Sequence, residues 1–408
     1  MIAFHYPPAR GSSGIQRTLC FSKYLRDSGW EPIVLTAKPT AYPRQGADQL
    51  EEIPNDICVK RAFAVDTARH LAWRGKYAAV MAYPDRWVSW WAPAVSQALQ
   101  IIKRHRPCVL WSTYPIATAH MIGLTVSRMT SIPWVADFRD SMTEDEYPED
   151  KCRRKVFRWI EKSSLRRAAS AVFTAPGTLE MYKNRYGTAE ADRWRCIQNG
   201  YDEESFPDLD GKCIDTGEDP DTLVLLHSGL LYLSERDPRS FFEALRTIKS
   251  HWPLEAARLQ VRLRASGFED RLTEMIDEAG IADIVELAPA VEYRAALQEI
   301  CAADGLLLFQ ASNCNHQIPA KLYEYLRSRR PILALTDPQG DTASVLRRIA
   351  ASTIVPIDNR EAITSAIRSF VRMIKQEDVP KMAVSDVAKF SRRQRTRELA
   401  ELFDSLVE

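Results

Sequence analysis

The chain has 408 residues, which is more than one hydrophobic core usually serves, so we expect two domains. Its 55 basic and 54 acidic residues nearly cancel, which argues against a protein whose whole surface binds nucleic acid. No apolar run is long enough to span a bilayer, and the opening Met1–Pro7 lacks the basic and apolar regions of a signal peptide, so we expect a cytoplasmic protein. The eight cysteines are scattered, with no Cys-x-x-Cys pair, which favours reduced thiols over a zinc site.

Strand-like runs alternate with helical patterns through the first half of the chain. The predicted strands are Ile2–Tyr6, Ile33–Ala37, Val59–Val65, Val109–Thr113, Trp134–Asp137, Ala171–Ala175 and Cys196–Asn199. The predicted helices are Ile15–Ser28, Pro93–Arg104, Lys151–Ala168 and Thr178–Tyr186. This repeated strand–helix–strand order favours a parallel, doubly wound sheet with helices on both faces.

The second half repeats the same α/β character after a break. Residues 202–222 are rich in Asp, Glu, Gly and Pro and show no period, so we interpret them as a linker. Alternating strands and helices then run from Leu223 to Gln376, and an amphipathic helix is predicted over Ser391–Val407. We therefore predict two Rossmann-like domains, residues 1–205 and 206–388, with the terminal helix 389–408 returning to the first domain.

Two candidate sites follow predicted strands of the first domain. Gly11 and Gly14 lie in a loop that opens the first helix, where glycine lets the backbone approach a ligand. The spacing is not G-x-G-x-x-G, and a plain turn is the alternative. Asp137, Arg139 and Asp140 close a buried strand, where open α/β sheets bind ligands. The alternative is an internal salt bridge of Arg139 with Asp140 or Asp137.

Two further candidate sites lie in the second domain. A strand ends at Gly229 and is followed by Arg236, a cation that can bind a diphosphate or pair with a neighbouring acid. In the stretch His316–Leu326, a helix start after Pro319 offers free N–H groups to an anion. Glu324, one turn further, can accept hydrogen bonds from a ribose diol, so the stretch is typical of a nucleotide diphosphate site; an exposed ion pair with Lys321 is the alternative.

Two segments carry surface hypotheses. Lys151–Arg167 has eight basic residues against one acid, which suits either an anionic membrane surface or an ordinary solvated helix face. Trp90 lies in a Trp-rich segment that fits a sugar or lipid contact, although packing at the start of a helix is favoured. Asp208 and Asp210 formally match a D-x-D metal motif, but they fall in the linker, and we predict no metal site.

Taken in order, these motifs resemble the GT-B glycosyltransferases of family 4 type, which are retaining and use nucleotide-sugar donors. The resemblance covers nearly the whole chain and is closest to transferases that assemble bacterial surface polysaccharides or exopolysaccharides. It rests on Tyr6–Arg17, Asp85–Trp90, Ser112–Pro115, Asp137–Asp140, Asn199–Asp202, Gly229–Pro238, Ile318–Tyr325 and Pro331–Leu333.

The resemblance implies two domains that face each other across a cleft, with the donor mainly on the second and the acceptor on the first. The implied donor-binding residues are Gly11, Gly14, Gly229, Arg236, His316, Ala320, Lys321 and Glu324. The implied acceptor-binding residues are Arg17, Trp90 and Tyr114, and the implied catalytic residues are Asp137, Arg139, Asp140 and Arg236. Cationic side chains and helix dipoles would stabilise the departing diphosphate, so no metal or other cofactor is expected.

The sequence leaves two other functions open. A nucleotide-sugar epimerase on the same plan would need carboxylates for acid/base work, and Asp137, Asp140 and Glu324 are its candidates. A non-catalytic partner in a polysaccharide assembly complex is the other, because His316 occupies the position where the family's E-x7-E motif has its first glutamate. The leading prediction is a hexosyltransferase that uses a saccharide or lipid-linked acceptor.

Overall fold

The computed structural model of the chain describes residues 1–11, 14–46, 49–144, 147–189, 191–206, 221–348, 352–380 and 382–407. The chain divides into two compact units. Unit 1 comprises Met1–Asn199 together with Arg392–Glu408, and unit 2 comprises Gly200–Ser391. Most of the predicted linker, including Asp208 and Asp210, lies outside the described residues.

Unit 1 is built on parallel strands with helices between them. Its elements up to residue 199 are α1 Gly14–Tyr24, β1 Ile33–Ala37, β2 Cys58–Ala62, α2 Thr67–His70, α3 Trp91–His105, β3 Leu110–Thr113, α4 Ala117–Met129, β4 Trp134–Phe138, α5 Lys151–Arg167, β5 Ser170–Phe173, α6 Pro176–Tyr186 and β6 Trp194–Cys196. The strands pair as β1–β2 and as β3–β4–β5–β6, all in parallel.

The N-terminal segment joins these two groups of strands. Ile2 forms parallel bridges to both Leu35 and Ser112, and its N–H donates to the carbonyl of Trp111 at 2.7 Å. The predicted first strand is thus present only as bridging residues, but it occupies the centre of the unit. Strands β1 and β2 lie on one side of it, and β3 to β6 lie on the other. The strand order therefore reverses beside this segment, which makes it a topological switch point.

Unit 2 contains a six-stranded, fully parallel sheet. Its elements are β7 Leu223–Ser228, α7 Arg239–His251, α8 Pro253–Ala256, β8 Leu259–Arg264, α9 Glu269–Ala279, β9 Val285–Ala288, α10 Tyr293–Ala302, β10 Gly305–Gln310, α11 Ala320–Ser328, β11 Ile332–Thr336, α12 Asp341–Arg347, β12 Ser352–Val355, α13 Arg360–Lys375 and α14 Val384–Ala388. The strand order is β12-β11-β10-β7-β8-β9, which is the order of a Rossmann fold. Strands β10 and β11 are buried along their whole length, as expected for central strands covered on both faces.

The chain returns to unit 1 through the terminal helix α15, Arg392–Val407. Its apolar face, with Leu399, Leu402 and Phe403, is buried in a cluster with Phe21 and Trp111. These contacts account for the amphipathic pattern of the helix. In the part of the chain that the structure describes, no helix is both long and apolar enough to cross a membrane.

Candidate functional site

The sheet of unit 2 has its switch point between β7 and β10. These neighbouring strands are followed by connections to opposite sides, so a crevice opens beyond their carboxyl ends. Strand β7 ends at Ser228, and β10 ends at Gln310. The predicted residues Gly229 and Lys321 come together at this edge.

Lys321 and His227 form a polar pair beside the crevice. The Lys321 Nζ lies 3.0 Å from the His227 Nε2, and the other ring nitrogen, Nδ1, lies 2.9 Å from the carbonyl of Leu307. A carbonyl can only accept, so the contact with Leu307 assigns the proton to Nδ1, and in this tautomer Nε2 can accept from the lysine. Burial, and then the charge of Lys321, hold the pKa of His227 well below its usual range, so the ring is neutral.

Gly229 lies against the same amine. Its φ of +107° is a backbone conformation that L side chains rarely adopt, and a Cβ at this position would lie 3.0 Å from the Lys321 Nζ. The glycine therefore leaves the space beside the amine open.

The positive charge of Arg236 also affects the Lys321 amine. Its Nη1 donates to the carbonyl of Leu230 at 2.8 Å, and its guanidinium lies 5.4 Å from the ring centre of Tyr232. Burial, and then the charge of Arg236, lower the pKa of Lys321 well below its usual range, while Glu324 opposes them. The guanidinium charge thus disfavours the ammonium form of Lys321, and a bound anion would favour it.

Helix α11 brings its N-terminus to the crevice. Pro319 is the residue before the helix, with ψ of 133°, and Ala320 is its first residue. The helix therefore starts directly after Pro319, as the sequence pattern predicts. The first N–H groups of an α-helix have no acceptor within the helix, and together with the helix dipole they favour an anion. In α11 the N–H of Leu322 donates to the carbonyl of Pro319 at 3.0 Å, so the site would use the earlier N–H groups.

Glu324 lies on the next turn of α11. Its Oε1 accepts a hydrogen bond of 2.9 Å from the hydroxyl of Tyr293, the first residue of α10. The hydroxyl of Tyr325 accepts one of 2.9 Å from the N–H of Ser228, which fixes α11 to the end of β7. The carboxylate of Glu324 thus has a defined position about one turn from the helix start.

His316 lies in the loop that precedes α11. The side chain of Gln310 holds this loop, since its Nε2 donates to the carbonyl of Cys314 at 2.8 Å and to that of Gln317 at 3.0 Å. The Nε2 of His316 lies 3.3 Å from the side-chain nitrogen of Gln317. The loop is ordered by polar contacts, and the donor-binding role of His316 stays a prediction.

In unit 1, Arg17 and Asp137 form a buried ion pair. The Arg17 Nε lies 3.0 Å from one carboxylate oxygen of Asp137, and its Nη2 lies 2.7 Å from the other. Both side chains are almost completely buried, at 1% and 0% exposed. Arg17 also donates to the carbonyls of Ile197 and Gln198, and Thr113 donates to Asp137. Asp137 therefore pairs with Arg17, a partner that the sequence did not predict, and both residues lie in the interior of unit 1. The predicted bridge of Arg139 is found with Asp140 instead.

Arg139 and Asp140 form a second, more exposed pair. The Arg139 Nη2 lies 2.7 Å from Asp140 Oδ2. A small cavity at the switch point of unit 1 is lined by Arg139 together with His5, Gly14 and Tyr114. Within the described residues, the Nη1 of Arg139 is buried without a hydrogen-bond partner. Burial, and then the charge of Arg139, lower the pKa of His5 to about 3.

The remaining predicted residues of unit 1 are Gly11 and Trp90. Trp90 is fully buried and packs edge-on against Phe4, with ring centres 5.5 Å apart, so it belongs to the core rather than to a binding surface. Gly11 has φ of +84°, a backbone conformation that favours glycine. Its binding role stays a prediction.

Sequence reasoning did not single out four polar residues near these sites: His5, His227, Gln310 and Tyr293. His227 was visible as a histidine at the end of an otherwise apolar strand. Its partner Lys321 is 94 residues further along the chain, and no local pattern joins two such positions. In the described ranges, no group of three or more His, Cys, Asp or Glu side chains is placed to hold a metal ion.

Comparison with known proteins gives one family match. Residues 14–200 match the model of the glycosyl transferase 4-like domain. No curated protein sequence matches the chain.

The fold is similar to several solved structures along nearly the full chain. HepE from Anabaena, in complex with UDP-glucose, has a TM-score of 0.69 at 13% identity, with 99% of both chains covered. Sucrose-phosphate synthase from Thermosynechococcus elongatus has a TM-score of 0.67 at 15% identity, covering 99% of this chain and 95% of that one. WaaG, a glycosyltransferase involved in lipopolysaccharide biosynthesis, has a TM-score of 0.60 at 11% identity, covering 100% and 98%. The chain thus has the GT-B fold of two Rossmann-like units, and its residues 14–200 are similar to the glycosyl transferase 4-like domain.

Proposed function

We propose that this protein is a glycosyltransferase that moves a hexose-like sugar from a nucleoside-diphosphate sugar to a saccharide or lipid-linked acceptor. The observation that carries the proposal is the cationic crevice of unit 2. There the amine of Lys321, the guanidinium of Arg236 and the start of α11 converge at a Rossmann switch point. Three features that favour anions, in one place where such sheets bind ligands, suit a diphosphate. The match of residues 14–200 to the glycosyl transferase 4-like domain also supports sugar transfer.

The chemistry expected of the site is electrostatic. When the bond from the sugar to the diphosphate breaks, negative charge develops on the departing phosphate oxygens. Lys321, Arg236 and the N–H groups of α11 would stabilise that charge without a metal ion. Glu324, about one turn away, would hold the ribose hydroxyls. HepE, which has the same fold, binds UDP-glucose, and this supports a nucleotide-sugar donor here.

Retention of configuration and a role in polysaccharide synthesis are part of the proposal. Both rest on the family resemblance of the motifs in their order along the chain. Arg139 and its neighbour Asp140 would lie beside the reacting sugar, and Tyr114 would contact the acceptor. The arrangement of Arg17 and Asp137 gives them a supporting role, in which the ion pair fixes the start of unit 1's first helix to the end of β4.

Glu324→Ala tests the donor assignment. We expect the purified wild-type chain to release nucleotide slowly from one class of nucleotide sugar among the UDP, GDP, dTDP and ADP forms. Loss of the ribose contact should reduce that release about tenfold or more through a higher KM, since a hydrogen bond to a charged group is worth about 1.5–3 kcal/mol. Released nucleotide is measured for each donor, with Glu274→Ala on the exposed side of α9 as the control.

The result also separates the competing functions. Nucleotide binding without turnover would favour the non-catalytic partner, and conversion of the donor sugar to its epimer would favour the epimerase. A chain that neither binds nor turns over any of the four donors would overturn the donor site itself.

We further propose that helix α5 docks on an anionic membrane surface. Its buried side contains Phe157, Ile160 and Leu165, and its exposed basic residues are Lys151, Lys155, Arg158, Lys162, Arg166 and Arg167. Trp159 lies among them and is 52% exposed. The acid of this helix, Glu161, is buried and pairs with Arg185 at 2.8 Å, so it does not offset the exposed charge. Basic side chains around an exposed tryptophan suit a lipid interface.

The membrane proposal predicts a lipid dependence. The chain should sediment with vesicles that contain phosphatidylglycerol and not with pure phosphatidylcholine, and salt should weaken the binding. Lys155→Glu with Arg158→Glu should abolish it, because each basic residue near an anionic surface contributes about 1 kcal/mol. Arg372→Glu with Lys375→Glu, on exposed positions of α13, is the matched charge control. Equal sedimentation of both double variants with anionic vesicles would contradict the assignment to α5.

A further inference from the structure

His227 is a buried histidine at the edge of the crevice, and the proposed transfer chemistry assigns it no role. It is 0% exposed, and its ring also packs edge-on against Phe309, with ring centres 5.1 Å apart. Its Nδ1–H is fixed by the carbonyl of Leu307, which points its lone pair on Nε2 at the amine of Lys321. A side chain held on three sides in this way has one orientation, and so does the hydrogen bond that it accepts.

From this geometry we infer that His227 is the positioning residue that holds the Lys321 amine over the diphosphate site, and that binding of the nucleotide diphosphate adds a proton to that amine. The inference rests on the proposed function, because it requires the diphosphate to bind beside Lys321. The affinity of the donor site in unit 2 for a nucleotide diphosphate would then depend on pH.

The neutral ring suits this role better than a carboxylate would. A carboxylate 3.0 Å from the amine would hold it equally well, but it would cancel the positive charge and repel the incoming phosphates. Imidazole with its proton on Nδ1 gives a directional acceptor and no charge. The lysine is thus oriented by a group that brings no negative charge to repel a ligand's phosphates.

The charges around the pair determine the direction of the proton movement. The pKa of Lys321 is lowered by Arg236, from the loop after β7, and raised by Glu324 on its own helix. The pKa of His227 is lowered by Lys321 and Arg236 and raised by its backbone hydrogen bonds with Leu307 and Gly229. In the absence of ligand, burial and Arg236 favour the neutral amine. A diphosphate brings at least two negative charges, which favour the ammonium, so the amine takes one proton from solvent and His227 keeps its own.

The pH dependence follows from that balance. Between the pKa of the amine in the free chain and its higher pKa in the complex, each bound nucleotide carries a proton with it. Affinity must therefore fall as pH rises through this range, by up to tenfold per pH unit.

Calorimetry in two buffers tests the proton step. UDP, GDP, dTDP and ADP are titrated into the full chain at one pH in buffers with different ionisation enthalpies, and the dependence of the heat on the buffer gives the protons taken up. We expect an uptake that approaches one per nucleotide diphosphate for the wild type and is close to zero for Lys321→Met. Binding with no uptake by the wild type would overturn the proton step, whereas no binding by any nucleotide would overturn the proposed function instead.

Two substitutions of His227 test its positioning role. His227→Asn keeps a donor near the carbonyl of Leu307 but removes the acceptor that faces Lys321, whereas His227→Gln can place an amide oxygen near the position of Nε2. We expect the Asn variant to bind the diphosphate about tenfold more weakly and the Gln variant to recover most of that loss. Binding of the corresponding monophosphate should be unchanged in both. Equal affinity of the Asn variant and the wild type would overturn the positioning role; if the Asn variant does not fold, full affinity in the Gln variant supports it and a tenfold loss there overturns it.

Discussion

Asp137→Ala should lower the free energy of unfolding of unit 1 by about 3–5 kcal/mol. The carboxylate of Asp137 holds Arg17 through two hydrogen bonds in an interior where both side chains are almost completely buried. Removing it leaves a guanidinium charge without its counter-ion, because the carbonyls of Ile197 and Gln198 carry no full charge. The loss is thus the desolvation of an unpaired charge more than the loss of an attraction.

Guanidinium denaturation followed by tryptophan fluorescence measures this effect. Unit 2 has one tryptophan, Trp252, and the other nine of the ten lie in unit 1, so the signal reports mainly on unit 1. Arg17→Met combined with Asp137→Leu should recover most of the stability, since it removes both charges. Asp140→Ala is the control: its carboxylate is 47% exposed, and its pair with Arg139 should contribute less than about 1 kcal/mol. Native stability in the Asp137→Ala chain with loss of nucleotide release would contradict this account and favour a direct catalytic role for Asp137.

Lys321→Met should weaken the binding of a nucleoside diphosphate by about 10- to 100-fold, the equivalent of about 1.5–3 kcal/mol for one charge-assisted hydrogen bond. Methionine has nearly the same length and fills the same space, so Gly229, His227 and the start of α11 should stay in place. Only the amine of Lys321 is removed from the crevice.

The comparison between diphosphate and monophosphate makes this prediction specific. Lys321 should contact the second phosphate, so the substitution should reduce the affinity for the diphosphate much more than that for the monophosphate. If the donor is a UDP-sugar, the pair to compare is UDP and UMP. Isothermal titration of each nucleotide into the wild type and into the Lys321→Met variant measures the two losses of affinity. An equal loss for mono- and diphosphate would place the lysine elsewhere in the site.

The alternation of apolar runs and helical patterns predicted the α/β class of both units, because strands buried on both faces, such as β10, are continuous apolar runs. Helix α4 was missed for a related reason. It is buried on most of its surface, including Thr118, His120 and Ser127, so its sequence has little amphipathic period and contains β-branched residues and a glycine. A helix of this kind is not distinguishable from irregular chain by pattern alone.

The candidate site was predictable where it is local in sequence. Ala320, Lys321 and Glu324 belong to one helix, and their spacing alone suggested an anion at the helix start and a ribose one turn later. What the sequence could not supply were the pairings between distant positions. Arg17 and Asp137 are 120 residues apart, and Lys321 and His227 are 94 residues apart. The first pair moves two predicted site residues into the interior, and the second adds a histidine to the site.

The central claim is that the carboxyl edge of unit 2 binds the diphosphate of a nucleotide sugar. A crystal structure of the full chain with the nucleoside diphosphate that the titrations select tests it most directly. We expect phosphate oxygens within about 2.7–3.2 Å of the Lys321 Nζ and of the first N–H groups of α11, with the ribose hydroxyls on Glu324. A diphosphate bound away from Lys321 and α11, in a crystal where this edge is open to solvent, would contradict the account.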